Sequence, residues 1–434
     1  MWQRSSNTIT SLFKKVLPFK TSQNFNVYFR VRNFHAPQQD ALTGIKVLDL
    51  SRVLAGPFCT QILGDLGADI FKIERLKVGD DTRAWGPPFI GGTSCYFMSI
   101  NRNKKSICID LKSKKGKGII LDFVKLADIL VENYLPGKME EYGLSYETLK
   151  QINPRLIFCS ITGYGNTGPY ASRPGYDVIA SSIGGLIHVT GPEDGEPCKT
   201  GVALTDLSTG LYAHGAIMAA LYQREKTGKG QHIMANLLST QVSCLVNLGA
   251  NYLIAGQEAK RWGTAHESIV PYQAFATLDG FMTVGGGNDR QFIELCSHIN
   301  RPDLALDAKY KTNRLRVENR RELLEQISRT MATKTNAEWE KVFEGGNFPY
   351  GPINKLSQVF TDPQVLHNGM VQEIKHKSAG DLKLIGPAVK FTGSENRIRL
   401  PPPELGEHTE SVLSELLGYP ASHIQQLRDA GAIN

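Results

Sequence analysis

Residues 42–75 read LTGIKVLDLSRVLAGPFCTQILGDLGADIFKIER, and this stretch decides the fold. Its first apolar run, 45–50 (IKVLDL), is short and aliphatic, as a buried strand requires. Pro57 suits the first turn of a helix, which the pattern predicts over 57–66. A second strand, DIFKIE, follows at 69–74. Strand, helix and strand at this spacing form a βαβ unit, which commits the chain to a parallel sheet. The turn between them lacks the phosphate-cradling G-x-G-x-x-G of dinucleotide sites, because Gly56 is followed by Pro57, Phe58 and Cys59. An NAD-dependent oxidoreductase is therefore disfavoured, while a crevice for another nucleotide stays open.

The same alternation continues outward. Strands are predicted at 106–111, 128–132 and 156–161, with helices near 114–126 and 145–152 between them. The fold class expected is α/β: a doubly wound, Rossmann-like parallel-sheet domain over 40–230, completed by about 395–434, plus a smaller α+β domain. A helix opens after Pro174-Gly175, and a long one runs from about 205 to 224. In the long helix Leu207, Leu211, His214, Met218 and Leu221 fall on one stripe, expected to face the core. Over 265–350 the pattern changes: 273–278 and 281–285 flank Asp279-Gly280, a hairpin signal, and helices follow near 289–299 and 318–333. This is the predicted small domain, with 231–264 and 351–394 as linkers. A final helix is expected near 408–417.

Of the 434 residues, 41% are hydrophobic and 21% charged, the balance of a globular protein. No apolar run reaches the roughly 18 residues of a membrane-spanning helix. The net charge of +7 is concentrated at the front: Arg4, Lys14, Lys15, Lys20, Arg30 and Arg32 lie in residues 1–39, which contain no acid. With seven Ser or Thr in the same stretch, 1–39 read as a mitochondrial transit peptide and the body as nearly neutral. That body implies no nucleic-acid partner and no membrane insertion. Cys59, Cys95, Cys108, Cys159, Cys198, Cys244 and Cys296 form no C-x-x-C pair, which suits free, mostly buried thiols in a reducing compartment such as the mitochondrial matrix.

Candidate chemistry centres on carboxylates. Asp206, in GVALTDLSTG (201–210), reads either as a helix cap or as a nucleophile kept ionised by the helix dipole. Asp177, after Pro174-Gly175-Tyr176, has the same two readings. His188, His214 and His232 lack metal-ligand spacing and read as structural, so no metal site is expected. No G-x-S-x-G nucleophile elbow is present.

Taken together, these segments resemble the class III (CaiB/BaiF type) coenzyme A transferases, a group that includes the α-methylacyl-CoA racemases. The resemblance spans about 42–434. It rests on the opening stretch, GDDTRAWGPP (79–88), NRNKKSICIDLK (101–112), VENYLPG (131–137) and NPRLIFCSITGYG (153–165). RPGYD (173–177), TDLSTGLYAHGAIMAALYQREKTGKGQ (205–231), VPYQAF (270–275) and ELGEHTESVL (404–413) follow in the same order.

The resemblance implies an interlocked homodimer that uses coenzyme A as a substrate and needs no permanently bound cofactor. It implies Asp206 as the nucleophile, passing through an aspartyl anhydride and an aspartyl-CoA thioester, with Tyr176, Asp177 and Gly263 in support. CoA contacts carry over to Leu54, Ala55, Arg75, Ile109, Lys112, Asn133, Tyr134 and Lys138. Leu54 and Glu141 stand where some members have Gln and Arg, and the family's glycine-rich loop is reduced to Trp262-Gly263-Thr264. The implied substrates are an acyl-CoA and a short dicarboxylate, such as succinyl-CoA and glutarate; Arg83, Arg261 and His266 are candidates for a distal carboxylate. The rivals are a racemase, which would carry His where Tyr176 stands, and a non-catalytic CoA-binding protein. Tyr is a poor base near neutral pH.

Overall fold

The computed structural model describes residues 40–434. The transit-peptide reading of 1–39 lies outside the described residues.

Six parallel strands make the main sheet: β1 (Lys46–Asp49), β2 (Asp69–Glu74), β3 (Lys104–Cys108), β4 (Ile129–Glu132), β5 (Ile157–Thr162) and β6 (His232–Asn236). Their order is β3-β2-β1-β4-β5-β6, the doubly wound arrangement in which the chain reverses direction at β1. Alternate side chains feed two cores. Leu48, Phe71, Ile107 and Leu130 point to one face; Val47, Ile70, Ile129 and Ile157 point to the other. Helices α1 (Ala55–Asp65) and α5 (Leu204–Thr227) contribute to the second core. The first is covered by α2 (Lys114–Leu126), by α3 (Tyr146–Ile152) and by the C-terminal helices at Thr409–Glu415 and Ala421–Asp429. Helix α4 (Asp177–Ile183) precedes α5.

Three expectations shift. The third strand begins at Lys104 rather than 106, because a fully buried lysine opens it; hydropathy does not anticipate the Asp49 carboxylate that neutralises it at 3.1 Å. The stretch 231–264, expected as a linker, supplies the sixth strand and the helices α6 (Leu237–Ser243) and α7 (Val246–Ala255). Finally, α5 buries Thr209, Gly210, Ala213, Ile217, Ala220 and Leu221, while Leu211 is 52% exposed. Small residues, rather than the largest apolar ones, line much of the buried face, because α1 lies against it: a Cβ on Gly210 would sit 2.8 Å from the Ala55 carbonyl oxygen.

A third core, from Val270 to Phe348, is built within the 265–350 region. Its antiparallel sheet pairs β7 (Tyr272–Ala276) with β8 (Phe281–Gly285), and β8 with β9 (Tyr350–Pro352). The expected linker 351–394 carries a further hairpin, Val371–His376 with Gly380–Ile385. Among the described residues no single helix is long and apolar enough to cross a membrane.

Candidate active site

A parallel sheet opens a crevice where its strand order reverses, outside the carboxyl ends of the diverging strands. Here those ends belong to β1 and β4, and the residues after each are tied together. The Asn133 side chain accepts from the Arg52 amide at 2.9 Å and donates to the Arg52 carbonyl at 2.7 Å. Next in the chain, Val53 has φ +69°, a left-handed conformation that a β-branched residue adopts only under constraint. Its amide donates to Asp80 Oδ1 at 3.2 Å. Leu54 then starts α1 without any side-chain cap, which leaves first-turn amides for a ligand.

A buried ionic layer supports this loop. Lys72 Nζ donates to the Ser51 carbonyl and to Asp80, both at 3.0 Å, and Lys104 Nζ lies 3.1 Å from Asp49. Burial opposes charge on Asp49, but Lys104, Lys72 and the hydroxyls of Ser51 and Thr60 outweigh it and hold its carboxyl at about 2. Arg83 grips Glu74 with two bonds of 2.8 and 2.6 Å and donates to the Pro403 carbonyl at 3.2 Å. That placement corrects the expectation for Arg83. Its guanidinium is only 9% exposed and committed to Glu74, so it is not available to a substrate carboxylate.

Asp206 sits in the first turn of α5, 8% exposed. It is not a cap: no described residue hydrogen-bonds its carboxylate, and its own amide donates to Asp177 Oδ1 at 3.1 Å. Nor does the helix dipole keep it acidic, as expected from sequence. Burial, with Asp177 beside it, pushes the carboxyl up to about 7. Asp177 is held at the start of α4 by a close backbone contact: a Cβ on Gly175 would meet the Gly163 Cα at 2.5 Å. Tyr176, 57% exposed, precedes it.

Two adjoining cavities surround these groups. The larger, about 880 Å³, is lined by Leu54, Ala55, Asn133, Tyr134, Lys138, Tyr176 and Asp206. The smaller, about 290 Å³, is lined by Arg75, Ile109, Lys112 and Tyr134. Arg52 and Tyr134 border both. Buried Glu132, pushed up to about 7 by burial, accepts from the Tyr134 amide at 2.8 Å and so holds the Tyr134 backbone. The residues carried over as CoA contacts thus border these two adjoining cavities, although Asn133 uses its side chain to latch the Arg52 backbone. Arg75 is ion-paired with Asp81, and Lys138 with Glu141 at 2.5 Å.

Gly263 is elsewhere, its amide donating to the Gly191 carbonyl at 2.9 Å. Arg261 donates to the carbonyls of Gly195 and His188, and His266 stacks on Tyr272. None of the three borders the Asp206 cavity of this chain. Sequence reasoning missed Arg52, Val53, Asp80 and Asp81. The acid pair in GDDTRAWGPP was the available signal, but backbone strain at Val53 has none.

Residues 42–409 match the family model described as CoA-transferase family III. The chain belongs to this family. Among family III relatives, the succinyl-CoA:glutarate CoA-transferase of Homo sapiens is 53% identical over 403 residues, covering 92% of each chain. The succinate–glutarate CoA-transferase of Agrobacterium fabrum is 41% identical over 381 residues, covering 86% of this chain and 95% of that one. A crystal structure of a CAIB/BAIF family protein from Brucella suis matches with a TM-score of 0.78 and 41% identity, covering 87% of this chain and 100% of that one. As a family III member the protein is a CoA-transferase, with coenzyme A as a substrate.

Proposed function

We propose that this CoA-transferase moves CoA from succinyl-CoA to glutarate or a related dicarboxylate, with Asp206 as the nucleophile. One observation carries the reading. A buried carboxylate without a hydrogen-bond partner opens onto a crevice of ligand size at the sheet's reversal point.

The chemistry follows from that environment. The ionised Asp206 carboxylate attacks the thioester carbonyl, giving a mixed anhydride and CoA thiolate. The thiolate then attacks the Asp206 carbonyl, releasing succinate and leaving an aspartyl-CoA thioester. Glutarate attacks that thioester, and the thiolate returns to the new anhydride, forming glutaryl-CoA and regenerating Asp206. No net proton is taken up or released. A carboxylate whose basicity is raised by burial is a stronger nucleophile than one in water, and the cavity that raises it also keeps water from the anhydride. Asp177 holds the Asp206 backbone, and Tyr176 flanks the same cavity wall. The uncapped start of α1 supplies amides suited to an oxyanion or a phosphate, and Arg75, Lys112 and Lys138, which line the two cavities, would meet the coenzyme's phosphates.

Two wider features belong to the proposal. The protein works as a homodimer, which supplies Gly263 and its loop to the site. It acts in the mitochondrial matrix, in keeping with the basic, acid-free composition of residues 1–39. The test is stoichiometry: purified protein given succinyl-CoA and glutarate is expected to form glutaryl-CoA and succinate one for one. Hydrolysis without glutaryl-CoA, or exchange of an α-proton with solvent in place of transfer, would overturn it.

A further inference from the structure

The cavity around Asp206 is bordered by three cations: Arg52, Lys138 and Arg173. Arg52 is paired with Asp81 at 2.5 Å, and Lys138 with Glu141 at 2.5 Å. Arg173 differs. Among the described residues no carboxylate pairs with it, and its side chain makes no hydrogen bond. Its guanidinium lies 3.9 Å from the Tyr170 ring centroid, and Tyr170 packs edge-on against Tyr164 at 5.8 Å. A guanidinium seated over a ring at this distance, with no acceptor among the described residues, keeps its N–H groups for the planar fork that matches a carboxylate. The Arg173 side chain is exposed, and the backbone that follows it is anchored. Arg173 lies two residues before Gly175, whose backbone abuts Gly163 just past β5, and four residues before Asp177, which binds the Asp206 amide.

We propose that Arg173 is the specificity-determining residue of this enzyme, receiving the distal carboxylate of the dicarboxylate while the other end reacts at Asp206. The inference rests on reading Asp206 as the nucleophile of a dicarboxylate CoA-transferase. Its chemical content is a bidentate ion pair, preorganised by the Tyr170 face rather than by an internal acid that substrate would have to displace. A monocarboxylic acid of equal length leaves this cation unpaired. A dicarboxylate fills it.

The test compares glutarate with pentanoate as acceptors, and glutaryl-CoA with pentanoyl-CoA as donors, in wild type, Arg173→Met and Arg173→Lys. In a double-displacement reaction kcat/KM for each substrate is obtained separately. Loss of a charge-assisted pair is expected to lower the dicarboxylate-to-monocarboxylate ratio of kcat/KM by about 10–100-fold in Arg173→Met, with partial recovery in Arg173→Lys. Inhibition by free CoA, which has no distal carboxylate, is expected to be equal in wild type and Arg173→Met. An unchanged ratio with weaker CoA inhibition would assign Arg173 to a coenzyme phosphate and overturn the proposal. So would an equal loss for all four substrates. If wild type forms no glutaryl-CoA at all, the dicarboxylate transferase reading itself falls and takes this assignment with it.

Discussion

Asp206 combines reactivity and instability in one group. Its folded carboxyl titrates at about 7, against 3.8 for an ordinary aspartate, because burial and the neighbouring Asp177 disfavour its charge. A raised carboxyl favours the folded state only while protonated, so its cost grows as pH rises from about 4 and is complete above about 7. Asp206→Asn keeps the shape and removes the charge. That variant is expected to lose turnover yet melt ~1–4 °C higher than wild type at pH 8, with the gain narrowing towards pH 4. In wild type, kcat/KM is expected to fall about tenfold per pH unit below 7, as the nucleophile takes up its proton. A flat profile between pH 5 and 8, or a lower melting temperature for the Asn variant at pH 8, would contradict this account of the site.

At the scale of elements, the site exists because α5 and α1 approach closely where each begins. Gly210, one turn after Asp206, faces the Ala55 carbonyl oxygen at a distance that leaves no room for a Cβ. Gly210→Ala is therefore expected to push the helices apart and lower kcat/KM by about 10–100-fold, since misplacement of order 1 Å is that costly in an active site. Gly215→Ala, on the same helix with nothing within 4 Å of its Cβ, is the matched control and should retain wild-type activity. Beneath the crevice, Arg83→Met removes the bidentate partner of Glu74, leaving the Asp80 amide, the Ser106 hydroxyl and the Lys72 charge, and is expected to cost about 3 kcal/mol in urea unfolding. A variant of wild-type stability with altered acid specificity would instead return Arg83 to the substrate.

These elements also mark how far the sequence can be read. The strands β1, β2, β4 and β5 are legible because buried parallel strands read as short, aliphatic-rich runs bounded by turns, even with Lys72 and Glu74 buried in β2. The sixth is not: HIMAN is half-buried at a sheet edge and bears His232 and Asn236, so hydropathy offers little. The buried face of α5 is misplaced for a related reason. Its contacts are made by Gly210 and Ala213, whose value lies in smallness rather than hydrophobicity. Asp206 itself becomes prominent through family resemblance; from composition it is an ordinary residue in the first turn of a helix.

At the scale of the whole molecule, apolar surface remains to be covered. Helix α7 has no buried residue, and on it Val246, Leu253 and Ile254 are 73, 84 and 85% exposed. Contiguous apolar exposure of this kind marks a protein–protein interface. Sedimentation is expected to show a dimer for wild type and a monomer of reduced activity for the Leu253→Glu, Ile254→Glu double variant. A fully active wild-type monomer would remove the homodimer from the account.

Transfer through Asp206 requires a covalent bond between CoA and its carboxylate. The most direct measurement incubates the protein with succinyl-CoA and no acceptor, quenches with hydroxylamine, and maps the modified peptide by mass spectrometry. A hydroxamate at Asp206 is expected, one that requires succinyl-CoA and is suppressed by excess glutarate. Full turnover with Asp206 unmodified, or an adduct on another side chain, would contradict it.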